Sequence, residues 1–252
     1  MSAPTVSVVI PAFNEEACLP RLLETVERAR SVYRGGRDAV QVIVADNHST
    51  DDTAAIARNG GCTVVPVEKR VIGAVRNAGA RAATGEVLAF VDADTQIHPD
   101  TFNEISDVLA RGTVIGGATG IRFERSSPGI RFTFFMLVAA GSLVRMAIRE
   151  PPTMNVDTGV TFCRRQDFET IGGYTEERLF AEDAQFLVDL RRVARPRGQR
   201  LARGMRSKAI FSTRKFDRYG DWHYFPLSAK MIVSMLSRAG FTDWARRYWY
   251  ER

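Results

Sequence analysis

The sequence predicts an α/β fold in a single domain, with a mostly parallel central sheet and helices on both faces. Three observations predict it. Short apolar, β-branched runs (Thr5–Ile10, Val40–Ala45, Thr63–Val67, Val87–Val91) alternate with segments of helical length. Such alternation builds a parallel sheet, because a helical crossover returns each strand beside an earlier one. The 252 residues suit one such domain, or one domain plus a tail. Asn14, Asp46, Asp92 and Asp94 fall just beyond these runs, and open α/β sheets bind ligands outside the carboxyl ends of their strands.

Thr5–Ile10 reads as a buried strand. Asn14 is suited to cap the next helix, in which Leu19, Leu22, Val26 and Tyr33 recur at helical spacing until Gly35-Gly36. Ser49-Thr50-Asp51-Asp52 is suited to cap a short helix that ends at Gly60-Gly61. Pro66 marks the third run as an edge strand, since proline donates no ladder hydrogen bond. Gly73–Ala83 is a helix of small residues, and Pro99 opens another that Gly112 ends. Val114–Phe123 and Gly159–Arg164 read as sheet; Ala181–Ala194 reads as a helix with Phe186, Leu187 and Leu190 on one face. Phe132–Val144 is thirteen residues without a charge, between Arg131 and Arg145. A spanning helix needs about 20 apolar residues, so this run reads as a buried helix or as an interfacial one. Trp244–Tyr250 mixes aromatics with arginines and suits either docking on the domain or a lipid headgroup layer.

The net charge of +6 is unevenly placed. Residues 1–110 hold 10 Lys/Arg and 15 Asp/Glu, a balance of −5; residues 111–252 hold 25 and 14, a balance of +11. Arg191–Arg218 has eleven basic residues and one acid, Asp217. This stretch reads as a solvated basic face, a contact for donor phosphates or a contact for an anionic membrane. No helix-turn-helix, RNP or zinc-finger spacing accompanies it, so nucleic acid is not the expected partner. Cys18, Cys62 and Cys163 are far apart and odd in number, which predicts no disulfide framework and a reducing cytosol. The N-terminus lacks the basic-then-apolar pattern of a signal peptide.

Asp92-Ala93-Asp94 directly follows a strand. Mg²⁺ and Mn²⁺ take oxygen ligands and are often held by one or two carboxylates plus substrate phosphates. Alone, the pair also fits a solvated loop. Glu182-Asp183 is a further acidic site about ninety residues on, suited to supply a separate base. No Gly-x-Gly-x-x-Gly follows the first strand, and no P-loop or Gly-x-Ser-x-Gly elbow is present. His48, His98 and His223 have no metal-ligand spacing.

Five segments in order then resemble the family 2 glycosyltransferases of the GT-A fold: Val6–Glu16, with its Pro-x-x-Asn-Glu turn; Val44–Asp51; Gly73–Gly79, with Arg76-Asn77-Ala78-Gly79; Gly85–Asp94; and Gly172-Gly173-Tyr174 followed by Glu182-Asp183. The likeness runs from about residue 5 to residue 218 and includes Phe211–Phe216, similar to a Ser-Ala-Arg-Arg-Phe/Trp element of some small bacterial members. His48 stands where the family has glycine, which predicts a tighter base-binding turn. The Gln-x-x-Arg-Trp motif of processive synthases is absent, which favours transfer of a single sugar.

The resemblance implies an inverting, metal-dependent transfer from a nucleotide-diphosphate sugar to an acceptor hydroxyl. Asp183 is then the catalytic base. Pro11, Phe13, Glu15, Asp46, Asn47, Arg76, Asp92, Arg214 and Lys215 contact the donor. Asp94, assisted by Asp92, holds Mg²⁺ or Mn²⁺. Glu182 shapes the acceptor pocket or caps its helix. The expected acceptor is lipid-linked or an envelope glycan, and the expected setting is the cytoplasm, with peripheral contact at the inner face of the membrane. The domain covers residues 1–218, with a nucleotide-binding half at about 1–112 and an acceptor-binding half at about 113–218; residues 219–252 form an amphipathic extension. The alternatives are a sugar-1-phosphate nucleotidyltransferase, which needs a Gly-rich basic loop that Pro11–Glu16 is not, and a non-catalytic nucleotide-sugar-binding protein.

Overall fold

The computed structural model describes residues 5–135, 159–177, 182–202 and 205–222. They fall into two units. In the first, β1 (Val6–Ala12) is buried along its whole length. It pairs in parallel with β2 (Val40–Asp46) on one side and with β4 (Val87–Phe90) on the other. β3 (Thr63–Pro66) adds to β2 as the edge strand, which suits Pro66. Beyond β4 stand β8 (Thr161–Arg164), β6 (Val114–Ala118) and β9 (Arg200–Ala202). β8 runs antiparallel to both of its neighbours, so the sheet is otherwise parallel. Chain order reverses at β1, with β2 and β3 to one side and β4 to the other. The crevice beyond the ends of β1 and β4 is therefore the switch point where such sheets bind ligands.

Alternation along the strands divides the core into two layers. Val8, Ile10, Val44 and Ala89 face α1 (Leu19–Ser31) and α4 (Thr101–Ala110), through Leu22, Val26, Phe102 and Ile105. Val9, Ile43, Leu88 and Phe90 face the other way, towards Tyr174 and towards Phe186 and Leu190 of α6 (Glu182–Ala194). Between β3 and β4 lies α3 (Ile72–Ala82), buried on every side from Gly73 to Ala80, which its small residues permit. α2 (Thr53–Asn59) follows β2, and α5 (Arg165–Thr170) follows β8. A second sheet joins β5 (Thr95–Gln96), β10 (Ala209–Phe211) and β7 (Ile121–Phe123).

In the second unit, residues 128–135 are helical, and α7 spans Arg214–Tyr219. Arg125 Nη2 lies 2.8 Å from Asp217 Oδ1 and 2.6 Å from Asp221 Oδ1, which braces α7. Phe132 and Trp222 meet with ring centroids 5.8 Å apart, and both are exposed, as is Phe135. Residues 136–144 of the uncharged run, and Trp244–Tyr250, lie outside the described residues. No helix among the described residues is long and apolar enough to cross a membrane.

Two expectations are corrected. Asn14 does not cap α1, whose N-cap is Cys18 with no side-chain cap bond. Asn14 has turned into the left-handed region, and its Oδ1 accepts from Thr50 N–H at 2.9 Å instead. The single run Val114–Phe123 is divided between the two sheets. α5, β5, β9 and β10 carry short patterns that the sequence did not announce.

Candidate active site

The turns after β1 and β2 are stitched together. Asn14 N–H donates to Ser49 Oγ at 3.0 Å, and Glu15 N–H donates to Thr53 Oγ1 at 2.8 Å. Glu16 N–H donates to Asp51 Oδ2, and Asp52 N–H donates to Glu16 Oε2, each at 3.1 Å. Burial would raise the Asp51 carboxyl, but the hydrogen bonds from Thr53 and Glu16 hold it below the usual range. Asn14 and His48 take φ of 53° and 56°. Residues other than glycine enter this region at a cost, with asparagine and histidine among the more tolerant. His48 thus adopts the backbone that a glycine takes freely.

Pro11 and Asp46, near the ends of β1 and β2, and Glu15 and Asn47, in the turns that follow, are all buried. Asp46 Oδ1 accepts from Ser49 N–H at 3.4 Å. Asn47 Nδ2 donates to the carbonyls of Val67 at 2.6 Å and Lys69 at 3.3 Å, which holds the segment after β3. From that segment Arg70 lays its guanidinium 4.6 Å from the centre of the Phe13 ring.

At the switch point the buried Arg76 of α3 gathers three acids. Its Nη2 donates to Asp92 Oδ1 at 2.7 Å, just beyond β4. Its Nη1 donates to Glu182 Oε1 at 2.8 Å and stands 2.9 Å from Asp183 Oδ1, both in the first turn of α6. The guanidinium also sits 5.1 Å from the centre of the Tyr174 ring. Tyr174 is fixed from two sides. Its N–H donates to Asn77 Oδ1 at 2.9 Å, its carbonyl accepts from Asn77 Nδ2 at 2.9 Å, and its hydroxyl is 2.9 Å from Thr161 Oγ1. Two glycines make this closeness available. A Cβ on Gly73 would come 2.3 Å from the Thr175 carbonyl oxygen, and one on Gly173 (φ 78°) would come 2.6 Å from Asn77 Oδ1. Lys69 Nζ closes the loop onto Glu176 Oε2 at 2.7 Å.

Burial would lower the Arg76 guanidinium, but Asp183, Asp92, Tyr174 and Glu182 together hold it well above its ordinary value. Asp183 moves the other way. Burial pushes its carboxyl up to about 7, and the negative charges of Glu182 and Asp92 add to this against the pull of Arg76. The Asp183 side chain keeps 25% of its surface exposed. Its Oδ1 is buried beside Arg76 but off the N–H direction, and makes no hydrogen bond.

Asp92 and Asp94 are both half-buried at the end of β4. Their oxygens suit a hard cation, and one Asp92 oxygen is already engaged by Arg76. Among the described residues no three His, Cys, Asp or Glu side chains converge on a metal position. Two such carboxylates have the donor chemistry that suits Mg²⁺ or Mn²⁺, which take their other ligands from substrate phosphates and water. Thr95, next to Asp94, pairs with Phe211 in the second sheet. Arg214 and Lys215 open α7 in the second unit.

The family model for glycosyl transferase family 2 matches residues 7–172, which contain most of these elements. The chain belongs to that family. It is 38% identical over 112 residues to an uncharacterized glycosyltransferase of Mycobacterium tuberculosis, covering 44% of this chain and 47% of that protein. It is 37% identical over 121 residues to an undecaprenyl-phosphate 4-deoxy-4-formamido-L-arabinose transferase of Pseudomonas paraeruginosa, covering 45% of this chain and 34% of that protein. The chain thus spans less than half the length of these two relatives. In fold it is similar to a mannosyltransferase from Pyrobaculum calidifontis in complex with GDP-Man and Mn²⁺, with a TM-score of 0.62, 22% identity and coverage of 83% of this chain and 57% of that one. It is also similar to S. aureus TarS (residues 1–349), with a TM-score of 0.60, 20% identity and coverage of 88% and 63%. The fold is of the GT-A type, as the resemblance implied.

Of the residues that family membership singled out, the structure brings Arg76, Asp92, Glu182 and Asp183 together. It sets Asp46 and Asn47 in the neighbouring turn. The sequence reading assigned no role to Asn77, Tyr174, Thr161, Lys69 or Glu176. Asn77 and Tyr174 had a signal, since both stand in segments that resemble the family, Arg76-Asn77-Ala78-Gly79 and Gly172-Gly173-Tyr174; the other three are joined only by the fold.

Proposed function

We propose that the chain transfers a single sugar, with inversion, from a nucleotide-diphosphate sugar to an acceptor hydroxyl. The observation that carries this reading is the set of acids around Arg76. They supply a donor-side carboxylate, Asp92, and an acceptor-side carboxylate, Asp183, held apart by one buried cation. Asp183 takes the proton of the acceptor hydroxyl as its oxygen attacks the anomeric carbon, and the bond to the diphosphate breaks on the opposite face. A base whose carboxyl is raised towards neutral is well matched to that proton. Glu182 shapes the acceptor side.

Pro11, Phe13, Glu15, Asp46 and Asn47 form the nucleoside side of the site, within a nucleotide-binding half at about 1–112. The acceptor half extends to about 218, with 219–252 as an extension. Asp94, with the free oxygen of Asp92, would hold Mg²⁺ or Mn²⁺. When bound, the cation supplies charge stabilisation for the leaving diphosphate. Arg214 and Lys215 support the same diphosphate, the role that the likeness of Phe211–Phe216 to a basic element of some family members implies.

The acceptor is lipid-linked or an envelope glycan, a reading supported by the undecaprenyl-phosphate substrate named for one relative. The working place is the cytoplasmic face of a membrane, contacted through the basic second half and the exposed Phe132, Phe135 and Trp222. Release of nucleoside diphosphate from UDP- and GDP-sugars with Mn²⁺ tests the reaction class. Pyrophosphate chemistry instead would indicate a nucleotidyltransferase.

A further inference from the structure

We propose that Arg76 is a positioning residue, whose buried guanidinium fixes the spacing between Asp92 on the donor side and Glu182–Asp183 on the acceptor side. The inference rests on the transferase reading above and changes the task of Arg76, for which the resemblance implied donor contact. Both terminal nitrogens are already engaged by carboxylates: Nη2 by Asp92 at 2.7 Å, and Nη1 by Glu182 at 2.8 Å and Asp183 at 2.9 Å. The acids come from two elements about ninety residues apart in sequence, and the cation comes from a third, α3. Only 4% of the Arg76 side chain is exposed, which leaves little of it for a substrate to touch.

Its surroundings hold the fork still. The Tyr174 ring lies 5.1 Å from the guanidinium carbon, and the paired bonds to Asn77 fix Tyr174 to the helix that carries Arg76. Gly73 lets the Thr175 carbonyl approach the same helix more closely than a side chain would allow. Arg76 Nε is buried with no hydrogen-bond partner, so the acids orient the group through its two terminal nitrogens. A lysine would retain the charge but present one nitrogen, and could not span both sides. Misplacement of a reacting group by about 1 Å costs on the order of 10²-fold in rate.

The test compares wild type with Arg76→Lys. Nucleoside diphosphate release is measured from UDP-glucose, UDP-GlcNAc and GDP-mannose with Mn²⁺, water serving as acceptor, and UDP and GDP binding is measured by calorimetry. For the donor that wild type cleaves, Arg76→Lys should lower kcat by about 10²-fold. Donor KM and nucleotide Kd should change by less than about threefold. Unchanged kcat overturns the inference, and so does a loss confined to KM and Kd, which would make Arg76 a donor ligand. Should Arg76→Lys not fold, Glu182→Gln loosens the same nitrogen and should lower kcat by about tenfold without weakening nucleotide binding; unchanged kcat there also overturns it. Wild type that releases no nucleoside diphosphate from any of the three overturns the transferase reading, and this inference with it.

Discussion

Arg76 Nη1 stands 2.9 Å from Asp183 Oδ1, and the same nitrogen bonds Glu182 at 2.8 Å. One cation thus faces two adjacent acids, while its other nitrogen is taken by Asp92. Burial pushes the Asp183 carboxyl up, and the neighbouring acids, a negative charge that Arg76 only partly balances, add to the rise while the guanidinium is held firmly charged.

This imbalance predicts a pH-dependent stability difference. Burial raises the Asp183 carboxyl from 3.8 to about 7. Between those values the unfolded chain gives up the proton first, so the folded state loses stability as pH rises, and the loss levels off above the folded value. Asp183→Asn should therefore melt with wild type near pH 3.8 and above it by a margin that grows towards about pH 7 and then stays constant. Melting curves across that range check this; a margin that shrinks with rising pH contradicts it.

The two strand-end aspartates should differ. In the proposed reading Asp94 is the main metal ligand and Asp92, one oxygen of which is held by Arg76, assists it. Calorimetry with UDP or GDP and Mn²⁺ should show a larger loss of affinity for Asp94→Ala than for Asp92→Ala. Binding undiminished by EDTA would contradict a metal role for either.

Much of this was legible in the sequence, and the reasons can be seen residue by residue. Strands buried on both faces, such as Val6–Ala12, appear as continuous apolar runs, and Asp92 and Asp94 stand directly behind one. What was hidden depends on distance along the chain. Arg76 and Asp183 are over a hundred residues apart, and they are joined by packing of α3 against the Gly172–Thr175 loop and of α6 against the sheet. Asn14 had the chemistry of a cap, yet the turn from β2 offered its carbonyl oxygen a partner at Thr50, and the tertiary contact prevailed. β5 and β10 pair over two residues each, too few for any periodic signal.

His48 should tolerate glycine and resist branched residues. At φ 56° a β-branched side chain is strained by about 1–2 kcal/mol. His48→Val should lower stability by about that amount, whereas His48→Gly should stay within about 1 kcal/mol of wild type. Equal stability of the valine and glycine variants in urea melts would contradict the left-handed backbone.

The exposed aromatics of the second unit should bind anionic membranes. Vesicles containing phosphatidylglycerol should pellet the protein at low salt, and less of it as salt screens the basic half. Replacing Phe132, Phe135 and Trp222 together by alanine should reduce pelleting without changing nucleotide binding. Equal recovery with neutral and anionic vesicles at low salt would contradict an electrostatic contribution.

The central claim is that Asp183 is the base, and Asp183→Asn tests it most directly, because asparagine keeps the shape and removes the charge. General-base assistance contributes about 10²–10⁴-fold. Turnover of a cleaved nucleotide sugar with Mn²⁺ should fall by that range, while calorimetric affinity for the nucleoside diphosphate stays near that of wild type. A folded Asp183→Asn protein that turns over the donor at a near-normal rate would contradict the assignment.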